Sequence, residues 1–194
     1  GGKALPKAAA GTFPPMGLEL GGKDPAYVRA DANLEFSAEN LADGAFFNSG
    51  QSCCGIERIY VHESVFDEFV DLMIQQARNL KLGDPMDPQT TMGPLVRERA
   101  ADYVRKQMKA AENKGAQALL KKGLGEGAYL PPEIFIDVHH GMKLMTEETF
   151  GPVVGIMSAA SDEEAVLLMN DSRYGLTASV WTQDLHRADR LGRQ

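Results

Sequence analysis

The chain alternates short strand-like runs with longer helix-like segments along most of its length. Runs rich in β-branched and aromatic residues predict strands, and apolar residues three or four positions apart, such as Leu34, Ala38 and Leu41, predict helices. Strands are predicted over 25–30, 58–62, 116–121, 133–137, 153–158 and 178–182. Helices are predicted over 31–47, 64–82, 96–113 and 185–191 and after the capping box 161–164, and residues 3–10 resemble the end of another helix. Residues 64–67 also have the spacing of a capping box, with Asp67 a poorer reach-back partner than glutamate. This alternation predicts an α/β fold with a parallel-type sheet flanked by helices.

The length of the chain fits one domain. Its 194 residues can build a sizeable core. We find no internal repeat, no low-complexity segment and no convincing linker, so residues 1–194 are predicted to be a single unit. The sequence begins in one helical pattern, at 3–10, and stops in another, at 192–194. Both ends are therefore expected to be cut points within a longer sequence.

Composition narrows the classes of partner and compartment. The 27 acidic residues outnumber the 20 basic ones, and a net charge of −7 disfavours binding to nucleic acid. No apolar run is long enough for a membrane helix, so no membrane association is expected. The two cysteines are adjacent, which excludes a disulfide framework and favours a reducing compartment, cytoplasmic or organellar. The four histidines are dispersed without metal-ligand spacing, so no metal site is predicted.

The segment 48–54 (NSGQSCC) carries both thiols, between a predicted helix and a predicted strand. Small and polar residues at such a junction leave a thiol reachable from solvent or from a cleft. A cysteine is a strong nucleophile only as thiolate, which needs a nearby positive charge or a hydrogen-bond donor, and the nearest cation along the chain is Arg58. On these grounds Cys53 or Cys54 is a candidate nucleophile, and a small buried hydrophobic residue is the commoner role.

Two further segments carry candidate acids. Glu19 lies between two leucines in 18–23 (LELGGK), a strand-like stretch. If Glu19 is buried, its pKa rises toward the range of a general base, and the alternative is an edge-strand acid that faces water. In 146–152 (TEETFGP), one of the adjacent acids could accept hydrogen bonds from sugar hydroxyls, and a solvated acidic turn is the alternative. No G-x-G-x-x-G phosphate motif occurs.

Taken together, these segments resemble the aldehyde dehydrogenase superfamily. Residues 18–23 match its Leu-Glu-Leu-Gly-Gly-Lys motif, and 46–53 match its Phe, three residues, then Gly-Gln-x-Cys. Residues 148–152 match Glu-x-Phe-Gly-Pro, and 170–176 match Asn-x-x-x-Tyr-Gly-Leu. The motifs occur in the family's order, and the resemblance covers the chain from about Lys3 onward.

The resemblance implies a role for each matched residue. The cysteine motif selects Cys53, and not Cys54, as the nucleophile that forms a thiohemiacetal and then a thioester with an aldehyde. Glu19 would activate the water that hydrolyses the thioester. Glu148, Phe150 and Leu20 would contact the cofactor, NAD or NADP. Phe47 would line the substrate tunnel.

The resemblance also leaves alternatives open. Family members are more than twice as long, so residues 1–194 are expected to be part of a catalytic domain, with most of the cofactor domain absent. The full-length enzyme would take a small-molecule aldehyde and form a homo-oligomer. One alternative is an isolated fragment without catalytic competence. Another is a thiol redox sensor that uses Cys53 and Cys54.

Overall fold

The computed structural model describes residues 2–12 and 14–194. The helices are α1 (Ala4–Ala9), α2 (Leu34–Phe46), α3 (Phe66–Arg78), α4 (Glu98–Glu112), α5 (Lys143–Thr146), α6 (Asp162–Asn170) and α7 (Leu185–Gly192). The strands are β1 (Asp24–Val28), β2 (Ile56–His62), β3 (Gln117–Ala118), β4 (Glu133–Ile136), β5 (Val153–Ala159) and β6 (Ser179–Trp181). Short 3-10 turns occupy Phe47–Gly50 and Glu63–Val65. The short helix α5 was not anticipated from the sequence.

The strands form one six-stranded sheet in the order β3-β4-β5-β2-β1-β6. Neighbouring strands are parallel, except that β3 pairs with β4 in the antiparallel direction. Because parallel neighbours require a crossover between them, the intervening helices lie against the faces of the sheet. The predicted α/β fold with a mostly parallel, helix-flanked sheet is confirmed.

The sheet has a hydrophobic core on each face. On one side Tyr27, Tyr60 and Phe135 pack with buried residues of α4 to α7. On the other side Val28 and Ile59 pack with buried residues of α2 and α3. Because successive side chains of a strand point to opposite faces, a strand covered on both faces is buried along its length, as β1 is. The sheet is therefore a rigid base for the segments that precede its strands.

The strand predicted over 116–121 is shorter in the structure, where β3 is only Gln117–Ala118. The carboxylate of Glu133 accepts hydrogen bonds from the backbone N–H groups of residues 119–121, at 2.7 to 3.1 Å. The N–H of Leu119 still donates to the Ile134 carbonyl at 3.0 Å, but those of Leu120 and Lys121 go to the carboxylate, and the antiparallel ladder ends. A buried acid at the start of β4 replaces backbone pairing here.

The helix predicted over 64–82 begins later and ends earlier, because α3 spans Phe66–Arg78. The 3-10 turn Glu63–Val65 precedes it, and the Nδ1 atom of His62 accepts the N–H of Ser64. The predicted capping box at 64–67 is therefore wrong, since α3 begins without a side-chain cap.

Two other helix starts follow capping rules. The capping box at 161–164 is confirmed: the Oγ atom of Ser161 accepts the backbone N–H of Glu164 at 3.2 Å. The Glu164 carboxylate reaches back to the N–H of Ala160 at 2.7 Å. Helix α2 was predicted to begin at residue 31, but it begins at Leu34, because Asn33 is its N-cap and accepts a backbone N–H of the first turn.

A cluster of ion pairs joins the end of β1 to α6 and α7. Asp162 accepts hydrogen bonds from Tyr27 at 2.8 Å, from Arg29 at 2.9 Å and from Arg187 at 2.6 Å. Burial by itself would raise the pKa of the Asp162 carboxyl, but these donors outweigh burial and lower its pKa to about 2. The carboxylate form of Asp162 is therefore more stable in the folded protein than in the unfolded chain.

We expect this carboxylate to make stability depend on acid pH. Because the folded pKa lies below the ordinary value, the stabilisation is present above about pH 4 and is lost as pH falls through about 2. Asp162→Asn should cost about 2 kcal/mol of unfolding free energy at pH 6, and the difference from wild type should shrink toward pH 2. Urea unfolding at both pH values measures this. Asp189→Asn, which breaks an exposed pair with Arg193, is the control with little expected effect. An Asp162→Asn cost that does not change with pH would contradict the assignment.

Across residues 2–12 and 14–194, no helix combines the length and apolar character needed to cross a membrane. Over the same ranges, histidine, cysteine and acidic side chains form no group of three or more that could bind a metal ion.

Candidate active site

The four sequence motifs lie at one edge of the sheet. The segment 18–23 runs into β1, the cysteine segment into β2, the segment 148–152 into β5, and the segment 170–176 is followed by β6. In the sheet these strands are neighbours, in the order β5-β2-β1-β6, and all are parallel. Parallel neighbours begin at the same edge, so the topology brings together segments that are far apart in sequence. Asp24 and Thr177, for example, are hydrogen-bonded although 153 residues separate them.

Cys53 lies in a tight turn just before β2, where it is half-buried, and Cys54 is exposed. The turn follows three consecutive residues with positive φ, Asn48 at 50°, Ser49 at 60° and Gly50 at 71°. Left-handed backbone is costly for residues other than glycine, so the surroundings must hold it in place. The Oγ atom of Ser49 donates to the Gly93 carbonyl at 2.7 Å, which is one such restraint.

Gln51 provides a second restraint on the cysteine turn. Its Oε1 atom accepts the N–H of Val96 at 2.8 Å, and its Nε2 atom donates to the Asn48 carbonyl at 3.0 Å. The glutamine of the motif therefore links the turn to the connector before α4. This contact gives a physical reason for an amide two residues before the cysteine.

Three glycines allow the motifs to touch. A Cβ atom at Gly22 would overlap the backbone carbonyl oxygen of Cys53. A Cβ atom at Gly21 would overlap the Glu148 carboxylate, and one at Gly50 would overlap the Gly151 carbonyl. The absence of side chains at these positions lets the glutamate, cysteine and Glu-x-Phe-Gly-Pro segments approach within van der Waals contact.

We expect Gly22→Ala to disturb the cysteine turn. The added methyl must displace the Cys53 carbonyl, which is backbone and cannot simply rotate away. Overpacking of this kind costs about 1–3 kcal/mol, and misplacement of a reacting group by about 1 Å can cost about 100-fold in rate. Gly17→Ala is the matched control, because nothing lies within 4 Å of its Cβ position. Thermal stability of the two variants and catalytic rate in the natural full-length polypeptide test this, and equal behaviour would contradict it.

Hydrogen bonds join Glu148 to two other motifs. Its Oε1 atom accepts the N–H of Gly22 at 3.0 Å, and its own N–H donates to the hydroxyl of Tyr174 at 3.2 Å. The next residues, Thr149 and Phe150, are buried and exposed respectively, and Phe150 has a φ of 52°. Glu148 and Thr149 are thus held by the protein, whereas Phe150 is 41% exposed.

A buried ion pair lies beneath this segment. The Nζ atom of Lys23 lies 2.6 Å from the Oε2 atom of Glu57, and the two residues are only 1% and 4% exposed. Lys23 also donates to the hydroxyl of Thr149 at 2.9 Å. Burial lowers the pKa of Lys23 below its usual value, while the Glu57 carboxylate opposes that shift. Glu57 lies outside the strand predicted over 58–62 and outside all four motifs.

Arg58 does not act as the cation beside the thiol. Its guanidinium donates to the backbone carbonyls of Lys23 at 2.9 Å, Leu168 at 3.3 Å and Met169 at 3.1 Å. It also donates to the hydroxyl of Tyr60 at 3.2 Å. The carbonyls of Leu168 and Met169 belong to the last turn of α6, where a cation is favourable. Arg58 therefore links β2 to the glutamate motif and to α6, which is a structural role that adjacency in sequence did not reveal.

The remaining predicted site residues are exposed. Glu19 and Leu20 lie in an extended segment that is not part of a strand, and both face solvent. The prediction of a strand-like stretch at Glu19 is therefore wrong, and the buried alternative does not hold in this chain, because 14–20 packs against no layer of the sheet. Phe47 is 67% exposed and lines a cavity of about 410 Å³ with residues of α2 and α3. Cys53 does not line that cavity.

Comparison with known proteins gives the family. The sequence model described as aldehyde dehydrogenase family matches residues 1–194. The chain is 41% identical over 196 residues to 4,4'-diapolycopene aldehyde oxidase of a Methylomonas species, covering 100% of this chain and 36% of that protein. It is 44% identical over 178 residues to the NADP/NAD-dependent aldehyde dehydrogenase PuuC of Escherichia coli strain K12, covering 91% of this chain and 36% of that protein.

A solved structure gives the same result. The fold is similar to betaine aldehyde dehydrogenase of Staphylococcus aureus in complex with NAD+, with a TM-score of 0.91 and 32% identity. The match covers 99% of this chain and 39% of that one. The chain thus spans little more than a third of the length of the relatives it matches. With the family model covering every residue and the motifs assembled at one sheet edge, the chain belongs to the aldehyde dehydrogenase family.

Proposed function

We propose that this chain carries the thiol-bearing part of an enzyme that oxidises an aldehyde to a carboxylic acid with NAD or NADP. The observation that carries the proposal is the contact between motifs. The Cys53 turn, Gly22 and the Glu148 carboxylate meet where three neighbouring parallel strands begin. Covalent catalysis beside a bound cofactor requires a nucleophile and a cofactor contact held at a fixed separation. Cys53 would be the nucleophile and Glu148 the contact, and the backbone at Gly22 touches both.

In the proposed reaction, the Sγ atom of the Cys53 thiolate attacks the aldehyde carbon. The C–S bond forms as the carbonyl π electrons move to oxygen, and the backbone N–H of Cys53 stabilises this oxyanion of the thiohemiacetal. When bound, NAD or NADP supplies the acceptor for the hydride that leaves this carbon. The acyl group stays bonded to the Sγ atom of Cys53 as a thioester.

Glu19 would complete the cycle by activating water. Its carboxylate takes a proton from the water that attacks the thioester carbon, and the C–S bond breaks to release the carboxylic acid and the Cys53 thiolate. Glu19 faces solvent here. For this role it must come within hydrogen-bond reach, directly or through one water, of the thioester, and we propose that residues beyond these 194 help to enclose it.

The residues present suit a nicotinamide cofactor. The Oε1 atom of Glu148 is occupied by the N–H of Gly22, and its second oxygen can accept hydrogen bonds from ribose hydroxyls. The exposed ring of Phe150 offers an apolar face beside it, and the backbone carbonyl of Leu20 precedes Gly21 in the same cluster. We propose that Glu148, Phe150 and Leu20 hold the cofactor and that Phe47 lines the path of the aldehyde.

The relative lengths favour a second proposal, that residues 1–194 alone do not turn over an aldehyde. They span 36% of the NADP/NAD-dependent aldehyde dehydrogenase PuuC and 39% of the betaine aldehyde dehydrogenase solved in complex with NAD+. We propose that residues 1–194 form part of a catalytic domain whose cofactor domain lies largely elsewhere. The complete enzyme is proposed to be a homo-oligomer in a reducing compartment, with a small-molecule aldehyde as its partner.

The direct test is NAD- or NADP-dependent oxidation of a panel of aldehydes by the natural full-length polypeptide and, separately, by residues 1–194. We expect reduced cofactor and carboxylic acid in equal amounts from the full-length protein and none from the shorter chain. If the full-length protein reduces neither cofactor with any aldehyde in the panel, the proposed activity is refuted. Turnover by residues 1–194 would refute the second proposal alone.

A further inference from the structure

We infer that Glu57 is a positioning residue that shapes the segment 148–151 and thereby sets the affinity for the nicotinamide cofactor without touching it. The inference rests on the proposed function, because that proposal assigns cofactor contacts to Glu148 and Phe150. It adds a residue that none of the four motifs contains.

The Glu57 carboxylate holds two consecutive backbone N–H groups. The N–H of Thr149 donates to Oε2 at 2.8 Å and to Oε1 at 3.1 Å, and the N–H of Phe150 donates to Oε1 at 2.8 Å. Lys23 contributes an ammonium donor to Oε2 at 2.6 Å. Since Glu57 is 4% exposed, little water competes for these oxygens, and charge-assisted hydrogen bonds of this kind are the stronger ones.

This arrangement fixes an unfavourable backbone. Phe150 has a φ of 52°, in the left-handed region that a bulky residue seldom adopts without restraint. Successive N–H groups that converge on one anion are a known way to hold such a turn. With Thr149 and Phe150 held from below, the aromatic ring is directed outward and the Glu148 carboxylate is placed against Gly22. Glu57 therefore acts on the proposed cofactor contacts through the backbone.

Lys23 has a different part in the same cluster. It balances the charge of Glu57 and donates to the hydroxyl of Thr149, which in turn donates to the Oε1 atom of Gln107 at 2.9 Å. Its contacts with the segment are to side chains, whereas those of Glu57 are to backbone N–H groups. Loss of Glu57 should therefore alter the shape of the segment more than loss of Lys23 does, and this difference separates positioning from charge balance.

The test uses Glu57→Gln in the natural full-length polypeptide, with NAD+ and NADP+ as the titrated ligands. Losing the charge-assisted bonds should raise Kd and KM for the cofactor that the wild type uses by about tenfold. Hydrogen exchange at the amides of Thr149 and Phe150 should become faster, while the rate of Cys53 alkylation by iodoacetamide stays near wild type. Glu63→Gln is the matched control, since it makes the same change at an exposed site just after β2.

Two more variants guard against a folding defect. Glu57→Gln leaves the buried Lys23 ammonium without its anion, so Lys23→Met combined with Glu57→Gln removes both charges. We expect the double variant to keep the raised Kd, and Lys23→Met alone to raise Kd less than Glu57→Gln does. Wild-type cofactor affinity in both variants that lack Glu57 would overturn the inference. So would faster exchange across the whole sheet without a selective change at residues 149–150.

These outcomes separate the inference from the proposed function. A wild-type protein that binds neither NAD+ nor NADP+ would refute the proposed function. A wild-type protein that binds and uses one of them, with unchanged affinity in both variants that lack Glu57, would refute only the positioning role of Glu57.

Discussion

Cys53→Ala is expected to reduce aldehyde oxidation by about 10⁴-fold or more, because it removes the proposed nucleophile and leaves only binding and oxyanion contacts. The fold should survive, since Cys53 lies in a half-buried turn outside the two hydrophobic cores. Steady-state rates of cofactor reduction with an aldehyde measure the effect, with melting temperature as the check on folding.

Cys54→Ala is the matched control for that experiment. It makes the same change one residue further along the chain, at a thiol that is exposed and lies 3.3 Å from the Ser52 hydroxyl. We expect near wild-type activity. A redox sensor that pairs Cys53 with Cys54 would instead need both thiols, so equal loss of function in the two variants would contradict the assignment of Cys53 as the single nucleophile.

Glu19→Gln is expected to separate the two halves of the reaction. Without a carboxylate to take the proton from water, thioester hydrolysis should slow by about 10²–10⁴-fold. Acylation of Cys53 should continue, because attack by the thiolate does not use Glu19 in the proposed sequence. Single-turnover kinetics would show a burst of reduced cofactor followed by slow release of the acid.

The control for Glu19→Gln is Glu35→Gln, which neutralises an exposed acid in the first turn of α2 and should leave both phases unchanged. If acyl release from Glu19→Gln proceeds at the wild-type rate, Glu19 is not the base. If the burst itself disappears, Glu19 acts before the thioester forms, and the assignment to hydrolysis is equally wrong.

Periodicity was sufficient to predict the α/β class and most elements, because strands covered on both faces and amphipathic helices leave strong apolar patterns. It was less informative where side chains replace backbone pairing. Glu133 ends β3 by binding the N–H groups of 119–121, which is a long-range contact that no local pattern encodes. The false capping box at 64–67 had the right spacing, but a 3-10 turn occupies Glu63–Val65.

The site was predictable in its parts and not in its assembly. Each motif could be recognised as a segment, yet their meeting depends on the strand order β5-β2-β1-β6, which no local sequence pattern encodes. The role of Glu57 depends on that order too, because its partners Lys23 and Thr149 come from segments before β1 and β5. One sequence signal was present: Glu57 and Arg58 are adjacent charges beside the apolar and aromatic residues 59–61, and charges at such positions are usually paired.

The central claim is that an aldehyde becomes covalently attached to Cys53, and peptide mass spectrometry tests it most directly. The natural full-length polypeptide carrying Glu19→Gln would be mixed with an aldehyde and NAD+ or NADP+, quenched in acid and digested. We predict a peptide with Cys53 heavier by the mass of the aldehyde less two hydrogens, as a thioester requires, and no such adduct in Cys53→Ala. An adduct on Cys54, or oxidation of the aldehyde with no adduct on either cysteine, would contradict the account.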